Sequence, residues 1–376
     1  MAFQFGFSGQ DLSDDELSDH RQCSQDSPGM IGEAEKPACN PLDSPNLQSS
    51  VFKQPAWEDL GAILESLVNV RISFEKILTP QCGIPLYRRE LFDVKHQLMT
   101  EADDEASVHS SVELEILMGE TNEDVRRNVY EGGLKSWECS IDLVDALSLS
   151  LSESIRSSTI LELGCGTSLP TEYLFAQLLQ NKGQRCNANI YLADYNESVL
   201  RLVSIPNLVL TWAVVTLSSQ ELTELQKHED PNTPVAEGEL LLTKALLRKF
   251  AQDISAKGVH LNLLSGAWGR DFCNILLPRL PETSSELLIL SSETIYQPET
   301  LPVISEVILE LLQSKPGARA LVAAKDIYFG VGGSVIEFQN YIHDKIQSRS
   351  LNLVQQTSKI QAGLKRSIVS IHQKEQ

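Results

Sequence analysis

The stretch TILELGCGTSLP, residues 159–170, decides the fold. Thr159–Leu163 is β-branched and leucine-rich, which reads as a buried strand. It runs straight into Gly164, Cys165 and Gly166, then Thr167, Ser168 and a helical stretch. Glycines in such a turn let the main chain bend sharply and let a ligand lie against it without meeting a Cβ. The helix that follows presents unsatisfied N–H groups and a partial positive charge at its start. These suit a carboxylate as well as a phosphate.

Outward from this turn the pattern repeats. Asn189–Asp194 is a second apolar strand that ends on an acid, where a carboxylate can accept both hydroxyl protons of a ribose. The interval from the turn to this acid is about 30 residues, against roughly 20 in the dinucleotide fingerprint. Ser168 also stands where that fingerprint wants a third glycine. NAD therefore ranks behind another adenosine-containing cofactor. A third strand, Val259–Leu264, leads to Trp268, which either walls an adenine face or anchors the core. A fourth, Leu287–Ser291, ends in Ser291, Ser292, Glu293 and Tyr296; Glu293 either serves chemistry or complements a helix start.

Three more strands, Arg319–Lys325, Leu351–Gln355 and Ser367–His372, alternate with helices such as Leu301–Gln313 and Ser334–Gln347. Strands separated by helices imply an α/β fold, a doubly wound Rossmann-like sheet with helices on both faces. Its ligands bind at the carboxyl ends of the strands. Residues 1–55, rich in Ser, Asp, Gln, Pro and Gly, read as a disordered tail. Residues 56–127 read as an N-terminal extension packed on the core. There WEDLGAILESLVNV sets Leu60, Leu64 and Leu67 at helical spacing, and RISFEKIL and RRELFDVKHQLM look like short strands. Residues 128–376 form the main domain. It carries a polar insert at 218–257, whose HEDPNTPVAEGE reads as a mobile loop flanked by helix.

The net charge of −20 lacks the basic footprint of a nucleic-acid binder and suits a basic protein partner, or simply solubility. No run approaches the roughly 18 to 20 unbroken apolar residues of a membrane span, so no membrane association is expected. The seven cysteines are scattered and never form C-x-x-C, which fits a reducing compartment. His260, in an apolar strand, reads as a core residue. The histidines show no metal-ligand spacing, and no metal is expected.

Several blocks together closely resemble the protein-histidine methyltransferase family. They are VYEGGLKSWECSIDLV (129–144), LELGCG, ADYN, IPN, GAW, SSETIY and KDIYFGVGGSVIEF. This eukaryotic group methylates a histidine of a large-subunit ribosomal protein and belongs to the seven-strand class of S-adenosylmethionine-dependent enzymes. The resemblance spans roughly residues 128–345, and IPLYRREL resembles fungal members. It implies a seven-stranded methyltransferase sheet and S-adenosyl-L-methionine as cofactor. Cofactor contacts would come from Ser136, Trp137, Glu138, Cys139 and Ser140, then Gly164 and Gly166. Ala193, Asp194 and Tyr195, then Gly266, Ala267 and Trp268, and finally Ser292 complete the set. The insert lacks the basic run of some animal relatives, so no nuclear signal carries over. The expected protein is a monomer, cytoplasmic and in part nuclear, acting on a basic ribosomal protein.

Histidine, with an unperturbed pKa of about 6.5, is largely neutral at cell pH, whereas lysine at about 10.4 must first lose a proton. The enzyme's task is then to fix the tautomer by accepting the N–H of the nitrogen that does not attack. Glu131, Glu293 or a backbone carbonyl are the candidate acceptors, with Tyr296 as an orienting group. The loop Phe329–Gly333 lets a substrate backbone approach at Phe329, Gly330, Gly332 and Gly333, or is an ordinary turn. On the first reading, Gly332→Val impairs methylation and spares the fold. Two other readings stay open: a lysine methyltransferase of the same class, and a non-catalytic assembly factor that keeps the cofactor fold.

Overall fold

Strand β4 (Thr159–Leu163) is buried at every residue. Helices cover the sheet on both faces and leave this central parallel strand no solvent side. The computed structural model describes residues 39–49, 52–103, 132–150, 158–181, 185–282, 286–360 and 363–374. The other main-sheet strands are β1 (Ala56–Glu58), β5 (Ala188–Asp194), β7 (Val259–Ser265), β8 (Leu287–Ser292), β9 (Arg319–Lys325), β10 (Leu353–Ile360) and β11 (Arg366–Gln373). Their order is β1-β7-β5-β4-β8-β9-β11-β10. Setting β1 aside, this is third, second, first, fourth, fifth, seventh, sixth in chain order. Strands β7 to β9 across the centre pair in parallel. Strands β11 and β10 close the sheet antiparallel. Seven strands are those read from the sequence. The eighth, β1, comes from the extension and lies antiparallel on β7, with Ala56 opposite Ser265.

Side chains alternate across the sheet, as the period of two requires. Ile160, Ile190 and Leu192 face one core with Phe175, Trp212 and Phe250. Leu161, Leu163 and Ala193 face the other, with Phe272, Ile308 and Phe338. The Trp212 and Phe250 rings meet edge to face at 5.6 Å. Burying a ring of this size stabilises by about 2–3 kcal/mol.

The helix Glu197–Thr216 has the length and hydropathy of a membrane span, yet 78% of its apolar window is buried inside the fold. Trp212 and Leu208 are fully covered. Its first turns include a π segment, Leu200–Ser204. Such segments shift side-chain phase within a helix. Here Ser204 Oγ reaches the carbonyl of Gly166 at 2.7 Å, tying the helix to the glycine turn.

The extension departs from expectation in three ways. Residues read as the end of a disordered tail are folded from Cys39 onward where described. Leu42 is 2% exposed and packs in the second core. RISFEKIL is strand β2 (Arg71–Leu78), paired with β3 (Pro85–Arg89), but RRELFDVKHQLM is strand only at its first two residues. The rest is the helix Leu91–Asp103, because Leu91, Val94 and Leu98 fall on one helical face and pack together. The polar loop of the insert is flanked by helices Ser219–Gln226 and Lys244–Lys257, and the insert also holds a strand missed in the sequence, β6 (Glu239–Leu241). That strand completes a second sheet, β3-β2-β6, so insert and extension fold as one layer. His260 is exposed on β7 and is not a core residue.

Candidate functional site

Strand register brings the motifs to one edge. Leu163 lies opposite Ala193 on one side and Ser291 on the other, and Asp194 lies opposite Ser265. The residues that follow each strand, Gly164, Tyr195, Gly266 and Glu293, therefore gather at the carboxyl ends of four adjacent parallel strands. A cavity opens there with about 980 Å³ of empty space, part of it continuous with solvent. The chain reverses its winding direction beside β4, which is where open α/β sheets bind ligands.

One end of this cavity is built from main chain. Gly164 sits at φ +65°, and a Cβ there would fall 2.5 Å from Thr294 Cγ2. Only glycine fits without displacing that neighbour. Asp194 is 5% exposed. Its Oδ2 accepts the N–H of Gly166 at 3.0 Å, and its Oδ1 that of Asn196 at 3.1 Å. A carboxylate has about four lone-pair sites, so accepting these two amides does not by itself exhaust it. Trp268 lines the cavity, and its Nε1–H is buried without a hydrogen-bond partner. An unmet donor in a cavity wall is costly unless a ligand or water meets it. A glycine-lined cradle, a buried acid and an unmet indole donor fit an adenosine-bearing ligand.

The helix start after the turn contributes less than its sequence suggests. Pro170 has no N–H, and the amide of Thr171 donates to the buried Glu162 at 3.2 Å. Burial raises Glu162 to about 8, so it stays largely neutral at cell pH and adds little repulsion to Asp194. Ser168 adopts φ +58° at the helix cap, the left-handed backbone that the missing glycine favours, and it is buried rather than lining the cavity.

The other end is built from side chains. Glu293 follows β8 at φ +58°, a left-handed conformation that costs a non-glycine residue about 1–3 kcal/mol. Its N–H donates to Ala323 O at 2.9 Å, which holds the turn. Tyr328 donates its phenol proton to Glu293 Oε2 at 2.5 Å. Lys325 Nζ stands 3.7 Å from Oε1 and 5.2 Å from the centre of the Trp137 ring. Glu293 Oε1 itself is buried with no hydrogen-bond partner. Burial, and then the Glu293 carboxylate, push the Tyr328 phenol and the Cys139 thiol far above their ordinary values, so both stay protonated beside it. The Tyr296 ring meets that of Tyr328 edge to face at 6.2 Å.

Most predicted site residues converge here. Trp137, Ser140, Gly164, Gly166, Asp194, Tyr195, Gly266, Ala267, Trp268, Ser292, Glu293 and Tyr296 line the cavity. Ser136 stands just behind, bonded to the lining Thr167 at 3.0 Å. Cys139 is buried against Glu293. Ala193 is buried in β5, where its carbonyl accepts the N–H of Cys165 at 3.0 Å. Glu138 is exposed and pairs with Lys325 at 3.4 Å. Glu131 lies outside the described residues.

The Phe329–Gly333 loop is not part of the cavity wall. Phe329 is 83% exposed, and a Cβ on Gly330 would meet nothing. Gly333 packs so tightly on Ile295 and Tyr296 that a Cβ would fall 2.3 Å from Ile295 O. Gly332 holds φ +109°, with Pro298 at 3.1 Å from a Cβ, so valine there strains the fold, against expectation. Among the described residues no cluster of three His, Cys, Asp or Glu is placed to hold a metal ion.

Sequence reasoning missed several residues. Leu47, Phe52, Lys135, Thr294 and Val303 line the cavity, and Tyr328 and Lys325 support Glu293. Asn207 also escaped, although the motif IPN contains it. Fully buried, it accepts the N–H of Arg89 at 2.8 Å and donates to Thr167 O at 2.9 Å, joining β3 to the glycine turn.

A seven-strand order with an antiparallel final hairpin, a glycine turn after the first strand and an acid ending the second define a seven-strand methyltransferase fold. No family model matches the chain. It is 48% identical to histidine protein methyltransferase 1 of Saccharomyces cerevisiae, across 99% of this chain and 98% of that one. The protein of the same name in Schizosaccharomyces pombe is 35% identical across 75% of each chain. The homologue of Rattus norvegicus is 30% identical across 67% of this chain and 59% of its own. The chain belongs to the histidine protein methyltransferase family.

Proposed function

We propose that this chain methylates a histidine of a large-subunit ribosomal protein, with S-adenosyl-L-methionine as methyl donor. The observation that carries the reading is a single cavity lined by Asp194 and Trp268 and also by Glu293, whose Oε1 has Lys325 Nζ at 3.7 Å but no hydrogen-bond donor. When bound, the cofactor would supply an electrophilic methyl group on a sulfonium, whose sulfur would leave as a neutral thioether when nitrogen takes the methyl. Asp194 would accept the ribose hydroxyl protons of that cofactor, and Gly164 and Trp268 would line its adenosine part. Lys135 brings a cation to the same cavity.

The protein's share of the catalysis is alignment. Glu293 Oε1 accepts the N–H of the target imidazole, which leaves the other nitrogen bare to attack. After transfer the methylated ring is cationic, and the held proton leaves through the same carboxylate. Tyr328 keeps Glu293 in place and, as a protonated phenol, does not compete for the proton. The net charge of −20 draws a basic substrate toward the mouth. A cytoplasmic and partly nuclear location follows from that substrate.

The test is to incubate the purified chain with labelled cofactor and unmethylated large-subunit proteins, then locate the label by mass spectrometry. Methylhistidine is expected. Methyl-lysine would replace the reading with the lysine enzyme of the same class, and absence of any transfer would favour the non-catalytic one.

A further inference from the structure

A segment far upstream of the glycine turn forms part of the cavity wall. Just before β1, Lys53 O accepts the N–H of Ala267 at 2.8 Å, and Lys53 N–H donates to the phenol oxygen of Tyr195 at 3.2 Å. Lys53 Nζ lies 3.4 Å from Glu197. The crossing is close enough to dictate a residue type. Gly266 sits at φ +105°, and a Cβ there would fall 2.6 Å from both Gln54 O and Pro55 Cα. The glycine of GAW is thus required by the crossing segment rather than by a ligand.

Nearer the N-terminus, the same segment is anchored again. Leu42 is buried in the second core, and Asp43 pairs with Arg270 at 2.7 Å. Between these anchors, Leu47 and Phe52 both line the cavity. Leu47 and Trp268 both pack against the second core, and both also line a second, smaller hollow. Leu47, Phe52 and Trp268 are the large apolar side chains that this segment and the β7 end add to a cavity also lined by Asp194, Lys135 and Glu293.

We propose that Leu47 and Phe52 are cofactor-binding residues that wall the adenine side of the cavity, held there by the Lys53–Pro55 crossing at Gly266. This rests on the S-adenosylmethionine reading. The base is the apolar, planar part of that molecule, and an aromatic or aliphatic wall recognises such a face by stacking and water exclusion. Cofactor occupancy and the order of the crossing segment are then linked, because each covers surface the other leaves open.

Calorimetry with S-adenosylhomocysteine tests this on the full chain. Phe52→Ala is expected to weaken binding about tenfold, with a smaller loss for Leu47→Ala, as stacking walls do elsewhere. The unfolding midpoint of ligand-free Phe52→Ala should match that of the wild type. In the wild type, S-adenosylhomocysteine should slow trypsin cleavage after Lys53. Affinities within twofold of wild type in both variants would overturn the proposal, as would a cleavage rate indifferent to S-adenosylhomocysteine. If Phe52→Ala does not fold, Leu47→Ala and the cleavage measurement decide. A wild-type chain that binds no S-adenosylhomocysteine would bring down the cofactor reading itself.

Discussion

The Asp194 end and the Glu293 end of the cavity are made of different material. At the first, main-chain groups set the geometry: Gly164 bends at φ +65°, and Asp194 is pinned by the amides of Gly166 and Asn196. At the second, side chains do so: Tyr328 and Lys325 reach Glu293 from β9 and the loop beyond it, and the Cys139 thiol faces it from the helix Glu138–Ser150. A backbone cradle tolerates almost no change in residue size. A side-chain cluster can lose one member and keep its shape. The two ends should therefore fail differently when mutated.

The largest effect is expected at the cradle. Gly164→Val places a branched side chain at left-handed φ against Thr294, which costs about 3 kcal/mol or more and weakens S-adenosylhomocysteine binding over a hundredfold. Calorimetry reads this directly, and near-normal affinity would show that the turn can rearrange. Next comes Glu293→Gln, which should lower kcat about a hundredfold and leave cofactor affinity within twofold. A loss of affinity as large as the loss of turnover would erase the distinction between the two ends.

A third variant, which leaves the cavity itself untouched, tests the layer under the cradle. Burial raises Glu172 from its ordinary 4.5 to about 8, and its Oε1 accepts the N–H of Tyr87 at 2.7 Å. Between these two values the folded chain holds a proton that the unfolded chain has lost, so this group's contribution to stability falls as pH rises. Glu172→Gln removes that dependence. Relative to wild type, the variant should gain up to about 1.4 kcal/mol per pH unit across that window. Urea unfolding at a series of pH values checks it, and a constant difference would mean the carboxyl is ionised in the fold. Smallest is Phe329→Ala, outside the cavity and 83% exposed. Stability should change by less than about 0.5 kcal/mol, while KM for the protein substrate rises about fivefold and cofactor affinity holds. An unchanged KM would confine substrate contacts to the cavity mouth.

Legibility followed the same division. The alternation of strand and helix, the turn at Gly164 and the acid at Asp194 could all be read because each is a local pattern. The helix Leu91–Asp103 could not. The strand β3 runs into it without a break, and its apolar face shows only once Leu91, Val94 and Leu98 have a partner surface. Strand β6 was hidden by its three-residue length and by lying in a polar insert. In the loop Phe329–Gly333 the packing of Gly333 could not be read, because its neighbours lie elsewhere in the chain. In the fold, Gly333 is spent on packing against Ile295 and Tyr296.

By itself the sequence determined the class of sheet and the parallel run at its centre, and with them the edge at which a ligand must lie; the antiparallel β1 and β11 appeared only in the fold. Backbone dihedrals, hydrophobic period and the residue ending a strand are properties of a few consecutive positions. Only the tertiary structure decided which side chains stand around that ligand. Tyr328 meets Glu293 across 35 positions, and Asn207 meets Arg89 across 118. Lys53 reaches Tyr195 across 142, carrying Phe52 with it. Such meetings depend on strand order and register, which are settled by the packing of the whole domain rather than by any one segment.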